Sequence, residues 1–328
     1  MSSFIHGVFH TGPAMASPHA EVDLEELNRS SVRERDNKVT TDDFCELADP
    51  DDSISSLIDS LPSILAADDF RTVCREVADA ANRGELVGMG FGAHVIKTGC
   101  TPVLQDLIER DVLGALMMHG AGAIHDFELA LIGETSEDVQ DQIAEGSFGM
   151  WEETAAGFGA ACERADAEDI GLGRAYGKMI QTEDRFDEEH SVLATCYRHD
   201  VPVTVHLAMG ADIVHMHPDF DPGQAGEATM RDFRVFCKVV QDLQHGVWLN
   251  VGSAVLLPEV FLKAVSVARN LGHALDDFLA VNFDMIQHYR PHQNVIGRPA
   301  PRGIAITGHH ELLLPLFRCG VLRHLDRD

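Results

Sequence analysis

Positive charge is scarce in this sequence: 25 Lys and Arg stand against 53 Asp and Glu in 328 residues, a formal net charge of −28. Nucleic-acid backbones and anionic membrane surfaces are bound through clustered Lys and Arg, so both partner classes are disfavoured. A field of this sign attracts cationic ligands such as polyamines or basic protein loops. It equally serves solubility or a salty cytoplasm, and composition alone leaves these readings open. Lysine is limited to positions 38, 97, 178, 238 and 263. Paired cysteines are missing too: the seven, at 45, 74, 100, 162, 196, 237 and 319, form no CxxC and are odd in number, which reads as reduced, mostly buried thiols. No segment approaches the ~18 apolar residues of a membrane span. Residues Met1 to Ala20 lack a signal peptide's basic flank and apolar stretch, so a cytoplasmic location is expected. The sequence does contain an ordinary globular balance, 45% hydrophobic and 24% charged, enough for a sizeable core.

Residues 1–50 mix Ser, Pro and Asp with a charged helical stretch near Glu21 to Arg35 and an acidic run at Asp49 to Asp52, and they read as an arm. From 51 to 328 the pattern is that of one α/β domain. Ile54, Leu57, Ile58, Leu61 and Ile64 share a helical face, and a second amphipathic helix runs from Asp68 to Arg83 before Gly84. Strands are then expected at Leu86 to Phe91, Val112 to Met118, Val201 to Leu207, Val247 to Val251, Phe278 to Phe283 and Ile304 to Thr307. Helices alternate with them: Pro102 to Arg110, Ile124 to Ile132, a short one capped near Thr135 and Asp138, then Met150 to Ala165, Glu168 to Gln181 and Glu188 to Arg198. Further helices are expected over Ala228 to Leu243, Pro258 to Asn270 and His310 to Arg318. Alternation of this kind requires a mostly parallel, doubly wound sheet with helices on both faces. No internal repeat is present.

In such a sheet the ligand crevice lies at the carboxyl ends of the strands. The first of these loops, Gly90 to Gly99, holds Gly92, Ala93, His94 and Lys97; the second, His119 to Asp126, holds Gly120, Ala121, Gly122 and His125. Small residues let backbone amides approach a ligand, and the second loop opens into a helix whose N-terminus favours an anion such as a pyrophosphate. Asp126, one turn in, either holds a ribose hydroxyl or complements its own helix dipole. Later loops add Met209 to Asp212 with His215 and His217, then Gly252 and Ser253, Asn282 to His292, and Gly308 to His310. Eighteen histidines, several at loop ends, suit proton transfer or metal ligation.

The run GFGAHVIKTG, followed by HGAGAIHDFELAL and GETSEDV, resembles the deoxyhypusine synthase family, especially its bacterial members. Similarity continues through VPVTVHLAMGADIVHMHP, WLNVGSA, AVNFD and ITGHHELLLPL, covering residues 50–322. The resemblance implies a Rossmann-like sheet binding NAD, active sites between subunits of a cytoplasmic homotetramer, and oxidation of spermidine before its aminobutyl group passes to a protein lysine, the first step of hypusine formation. Carried over, it sets Gly92, Ala93, His94, Gly120, Ala121, Gly122, Asp126, Gly252, Ser253, Asn282 and His309 against the dinucleotide. Asp212, with His215, binds the amine; His94, His125 and His309 move protons.

The family's catalytic lysine falls in a Trp-Gly-Lys segment, whereas here Ile296 to Gly303 reads IGRPAPRG and has no lysine. Lys97 is the only lysine expected at a strand's carboxyl end, and in a desolvated pocket it would serve as nucleophile or base; otherwise it anchors a phosphate or carboxylate. The acceptor is then a protein lysine or a small amine. Two readings compete with an NAD-dependent transferase. One is a metal-dependent hydrolase or lyase in which His215 and His217, facing the same way on a strand, share a metal with His206 or His309. The other is an inactive nucleotide-binding homologue.

Overall fold

A computed structural model describes His19 and residues 21–326. Its contacts divide the chain into residues 1–41 and 42–328. In the first unit, Leu24–Glu26 and Val32–Glu34 are single 3-10 turns, opened by Asp23 and Ser31 accepting the amides of Glu25 and Arg33. The continuous helix expected over residues 21–35 does not form. Its apolar side chains Val22, Leu24, Leu27 and Val32 are all exposed, so no buried face offsets the cost of nucleating a helix.

The second unit opens with α1 (Ile54–Ser60) and α2 (Leu65–Asn82), then β1 (Val87–Phe91), α3 (His94–Lys97), α4 (Thr101–Glu109), β2 (Ala115–His119) and α5 (Gly120–Ile132). A helical excursion follows: α6 (Val139–Glu145), α7 (Glu152–Glu168), α8 (Leu172–Thr182) and α9 (Val192–Arg198). The remainder is β3 (Val203–His206), α10 (Pro222–Gln241), β4 (Val247–Val251), α11 (Leu256–Asn270), β5 (Leu279–Asp284), α12 (Tyr289–Asn294), β6 (Arg302–Thr307) and α13 (His310–Leu322). Local chemistry sets several bounds. Pro102 and Pro222 occupy first turns, where a missing N–H costs nothing, and Gly133, at φ +73°, closes α5 by donating to the Leu129 carbonyl.

The six strands form one sheet in the order β3-β2-β1-β4-β5-β6, and every pair is parallel. The fold is therefore α/β, doubly wound, with helices on both faces. Along β1, β4 and β5 alternate residues take opposite faces, as the two-residue strand period requires. Met89, Phe91, Leu249, Val251, Val281 and Phe283 join a core with α2, α4, α5 and α13, while Trp248 and Ala280 join one with α10 and α11. To that second face β1 contributes only Gly88 and Gly90. A Cβ on Gly88 would lie 2.6 Å from the Trp248 ring, so β1 is glycine-rich to seat an indole. No helix among the described residues is long and apolar enough to cross a membrane.

Candidate functional site

The order in which successive strands are added across the sheet reverses between β1 and β4, and their carboxyl ends define the crevice where doubly wound folds take ligands. The loops leaving them are in direct contact: the Gly92 amide donates to the Val251 carbonyl at 2.9 Å, and a Cβ on Gly92 would lie 2.3 Å from the Gly252 carbonyl oxygen. Gly252 adopts φ +65°, and a Cβ there would lie 2.8 Å from His310 Cε1 and Nε2. The first residue of α13 is thus wedged against the end of β4. His310 is 1% exposed, and neither ring nitrogen has a hydrogen-bond partner. Burial pulls its pKa down, with the charge of Asp284 opposing. His94 stands edge-on to it, ring centroids 6.0 Å apart, and is itself exposed. His309 is also exposed, 3.7 Å from the Glu311 carboxylate.

The rim continues across β2. His119 caps α5 by accepting the Ala121 amide on Nδ1 at 3.2 Å, while its Nε2 faces the Ala93 amide at 3.4 Å. A neutral imidazole has one acceptor nitrogen, so the shorter contact is the hydrogen bond, and the ring still spans the two loops. Against Gly120 lies Asp212: a Cβ on that glycine would be 2.4 Å from Asp212 Oδ2. Asp212 is 8% exposed and Oδ2 has no hydrogen-bond partner. Burial pushes its carboxyl up, opposed by the neighbouring His215 and by the Ala121 and Ala208 amides. Asp212, His119, Ala93, His94 and His310 therefore form a continuous polar edge.

Several sequence expectations change in detail. Residues Gly120 to Ala123 are the first turn of α5 and not a loop, and the Asp212 carboxylate fills the place read as a pyrophosphate cradle. An acid there repels a phosphate, so the α5 N-terminus does not fit that part of a dinucleotide. Asp126 does not face a ribose. It is fully buried and accepts from Ser191 Oγ, the Val192 amide at 2.7 Å and the Leu193 amide at 3.1 Å, capping α9; burial raises its pKa to about 6. Asn282 is equally enclosed. Asn250 Nδ2 donates to its Oδ1 and it donates to Gln287 Oε1, both at 2.7 Å, so its amide ties β4 to β5, and at 0% exposure it does not reach the crevice surface. Ser253, 4% exposed, contributes its carbonyl to the same Asn250 amide.

His125 lies on α5 in a relay of its own, Nδ1 2.6 Å from Thr135 Oγ, which donates to Glu128. Burial pushes Glu128 up but is outweighed by His125, Thr135 and Thr154, which hold it low. Lys97 ends α3 and lines a different cleft. It is exposed, whereas a nucleophilic role rests on a desolvated amine. In the segment lacking the family's lysine, Arg298 donates to Asn294 and Arg302 pairs with Glu76, so neither is a substitute facing the rim.

The shared-metal geometry of His215 and His217 is not formed, because Ile213–Met216 is a 3-10 turn and not a strand. His215 Nδ1 accepts the Gly210 and Asp212 amides, leaving Nε2 buried without a partner beside Phe158 and Phe220; His217 Nε2 meets the Gly149 carbonyl at 2.9 Å. Among the described residues no three His, Cys, Asp or Glu side chains come together as a metal site. The sequence places His310 and Asp284 in the later loops but singles out neither, and Asp284 is the charge beside the buried His310. The visible signal was the His309–His310 pair at a helix start, and helix phase decides which of the two turns inward.

No protein-family model and no curated protein matches the sequence. Solved structures match in fold. A conserved protein assigned as LOR/SDH from Methanococcus maripaludis S2 aligns with TM-score 0.51 and 16% identity over 85% of this chain and 74% of that one. A protein assigned as a deoxyhypusine synthase from Entamoeba histolytica aligns with TM-score 0.50 and 10% identity over 85% and 96%. The ternary complex of AgrE with ornithine and NAD+ aligns with TM-score 0.50 and 14% identity over 77% of this chain, which spans only 32% of AgrE. At these identities the likeness is one of fold.

Proposed function

We propose that this protein is an NAD-dependent transferase of the deoxyhypusine synthase type, acting on an amine or polyamine at the rim between Asp212 and His310. The observation that carries the reading is the unpartnered oxygen of Asp212, a buried carboxylate that the fold leaves one ligand short. An ammonium group is the natural complement, because burying an acid without a partner is costly and a charge-assisted hydrogen bond removes that cost. The choice of chemistry is supported by fold likeness to a protein assigned as a deoxyhypusine synthase and to a 32% portion of AgrE, whose structure is a complex with ornithine and NAD+.

A dinucleotide would lie at the β1 and β4 ends and not at α5, with Ala93, His94, Gly252 and Ser253 to hold it beside His310. When bound, it supplies a two-electron acceptor for the hydride leaving the carbon next to nitrogen. Asp212 anchors the substrate's ammonium. His310 would take the proton that the substrate nitrogen loses as the carbon–nitrogen double bond forms, and the exposed His94 and His309 would exchange it with solvent. A second amine would add to that carbon as the first departs, His310 would give the proton back, and the cofactor would supply the two electrons that make the alkyl transfer redox-neutral. Asp126 and Asn282 stay structural, and Lys97 takes no part. The acceptor is a small amine or a protein lysine, and a homotetramer with shared sites belongs to the same proposal.

Spermidine and NAD incubated with the full chain should give a rise in reduced-cofactor absorbance or fluorescence. Asp212→Asn should weaken spermidine's half-saturation by at least about thirtyfold, the lower end of the cost of stripping one partner from a buried charge pair. No protection of melting temperature by millimolar NAD, together with unchanged spermidine response in Asp212→Asn, sinks the proposal.

A further inference from the structure

The transfer proposed above leaves one proton unassigned. An aliphatic amine is an ammonium near neutral pH and has no lone pair to attack with until it loses a proton. His310 already holds the first amine's proton when the second amine arrives, so another base is required. α5 carries one. His125 Nδ1 lies 2.6 Å from Thr135 Oγ, and that hydroxyl donates to Glu128 Oε2 at 2.5 Å. A hydroxyl has a single hydrogen, so Thr135 must accept from the imidazole, and His125 carries its hydrogen on Nδ1. The lone pair of Nε2 is left free: no hydrogen bond occupies it among the described residues, and unlike the nitrogens of His310 it is open to solvent. At the other end of the relay Thr154 donates to Glu128 Oε1 at 2.8 Å; burial opposes that carboxylate's charge, but His125, Thr135 and Thr154 hold its pKa low.

The relay stands beside the rim. His125 is one helical turn, about 6 Å, from Ala121, and side chains on a helix lean toward its N-terminus. At that end of α5 Asp212 lies against Gly120. Burial raises the pKa of Tyr176 and the charges of Asp212 and Glu128 add to it, so the two acids flank one phenol. Burial lowers the pKa of His119, and the charge of His125 lowers it further, so the relay also reaches the residue that caps α5.

We propose that His125 is the base that deprotonates the incoming amine, a role that rests on the transferase reading of the rim. Nε2 takes one proton from the second ammonium, and the lone pair so released forms the new carbon–nitrogen bond as the bond to the first amine breaks. The proton on Nε2 then passes to the departing nitrogen, so the exchange is balanced and consumes no electrons. Thr135 and Glu128 are positioning residues: they fix the tautomer and place a carboxylate 3.9 Å from the imidazolium that forms.

The first test needs no cofactor. Nitrogen NMR of the full chain with labelled histidine, at alkaline pH, should show His125 protonated on Nδ1; a hydrogen on Nε2 overturns the assignment. Transfer is then followed by mass spectrometry as alkylated n-butylamine formed from spermidine and NAD. His125→Ala should slow it by at least about a hundredfold, the lower end for a general base, while reduced cofactor formed without n-butylamine falls by less than about tenfold. Free imidazole should restore transfer in His125→Ala and not in Glu128→Gln, which keeps the side-chain size and removes the charge. Undiminished transfer in His125→Ala, or equal loss of oxidation and transfer, overturns the role and leaves the transferase reading standing. Wild type that forms no reduced cofactor from spermidine and NAD overturns that reading and this role with it.

Discussion

Asp126 and Asp212 are both buried carboxylates set against the first turn of a helix, and they differ in what remains once the protein's own donors are counted. Asp126 receives a hydroxyl and two amides at the start of α9. Asp212 lies against the start of α5 with Oδ2 unmatched. The same residue type, burial and helix position thus leave two different inventories: Asp126 is saturated and holds the start of α9 to α5, while Asp212 keeps one oxygen without a partner, which the proposed function gives to the substrate's ammonium. Burial alone does not distinguish a structural from a functional acid; the hydrogen-bond inventory does.

The sharpest way to break this contrast is Asp126→Ala. It strands three buried donors and uncaps α9, and should cost about 3–5 kcal/mol in urea denaturation. A loss under about 1 kcal/mol would place Asp126 in the same class as Asp212. Next comes Asp232, a third buried acid, saturated by the Gly173 and Val205 amides at 2.9 and 2.8 Å. Burial raises its carboxyl from 3.8 to about 7, so the folded state holds a proton that the unfolded chain has released. Its contribution to stability is therefore fully present below the unfolded pKa and is lost as pH rises through the folded one. Wild type should lose about 2–4 kcal/mol more than Asp232→Asn between pH 4 and 7, read from denaturation midpoints at each pH. The smallest effect is expected at Asp212. Asp212→Asn should shift stability by less than about 1 kcal/mol while weakening spermidine's half-saturation by at least about thirtyfold, a separation that a structural acid would not show.

Much of the architecture is legible in the sequence because strand alternation and helix stops are local. Val247 to Val251 is read to the residue, and Gly84 and Gly133 mark helix ends as expected. The start of α5 is not legible, since glycine is a poor helix former and four small residues in a row look like a loop. Tertiary packing overrides that propensity: Gly120 makes room for Asp212, and a Cβ on Gly122 would lie 3.3 Å from Met118 Cβ. Gly90, counted with the first loop, misleads in the same way: it lies in β1, where a Cβ would be 2.8 Å from Met117 Cε and 3.1 Å from Trp248 Cζ2. Of the rim, Asp212 and His94 are visible as polar residues at loop ends. His310 is not separable from His309 without the helix phase, and the engagement of Asp126 by Ser191, Val192 and Leu193 depends on a pairing 65 residues distant in the chain.

The amides running from Asn250 through Asn282 to Gln287 finish on the Ile306 carbonyl and the Thr307 hydroxyl, both at 3.2 Å. Only Gly308 and His309 separate that anchor from His310. The alignment of the wedged imidazole is consequently inherited from inside the sheet, passed sideways through three carboxamides to the strand from which α13 springs. Evolution could retune that ring by exchanging a side chain two strands away, leaving every group that meets solvent as it was.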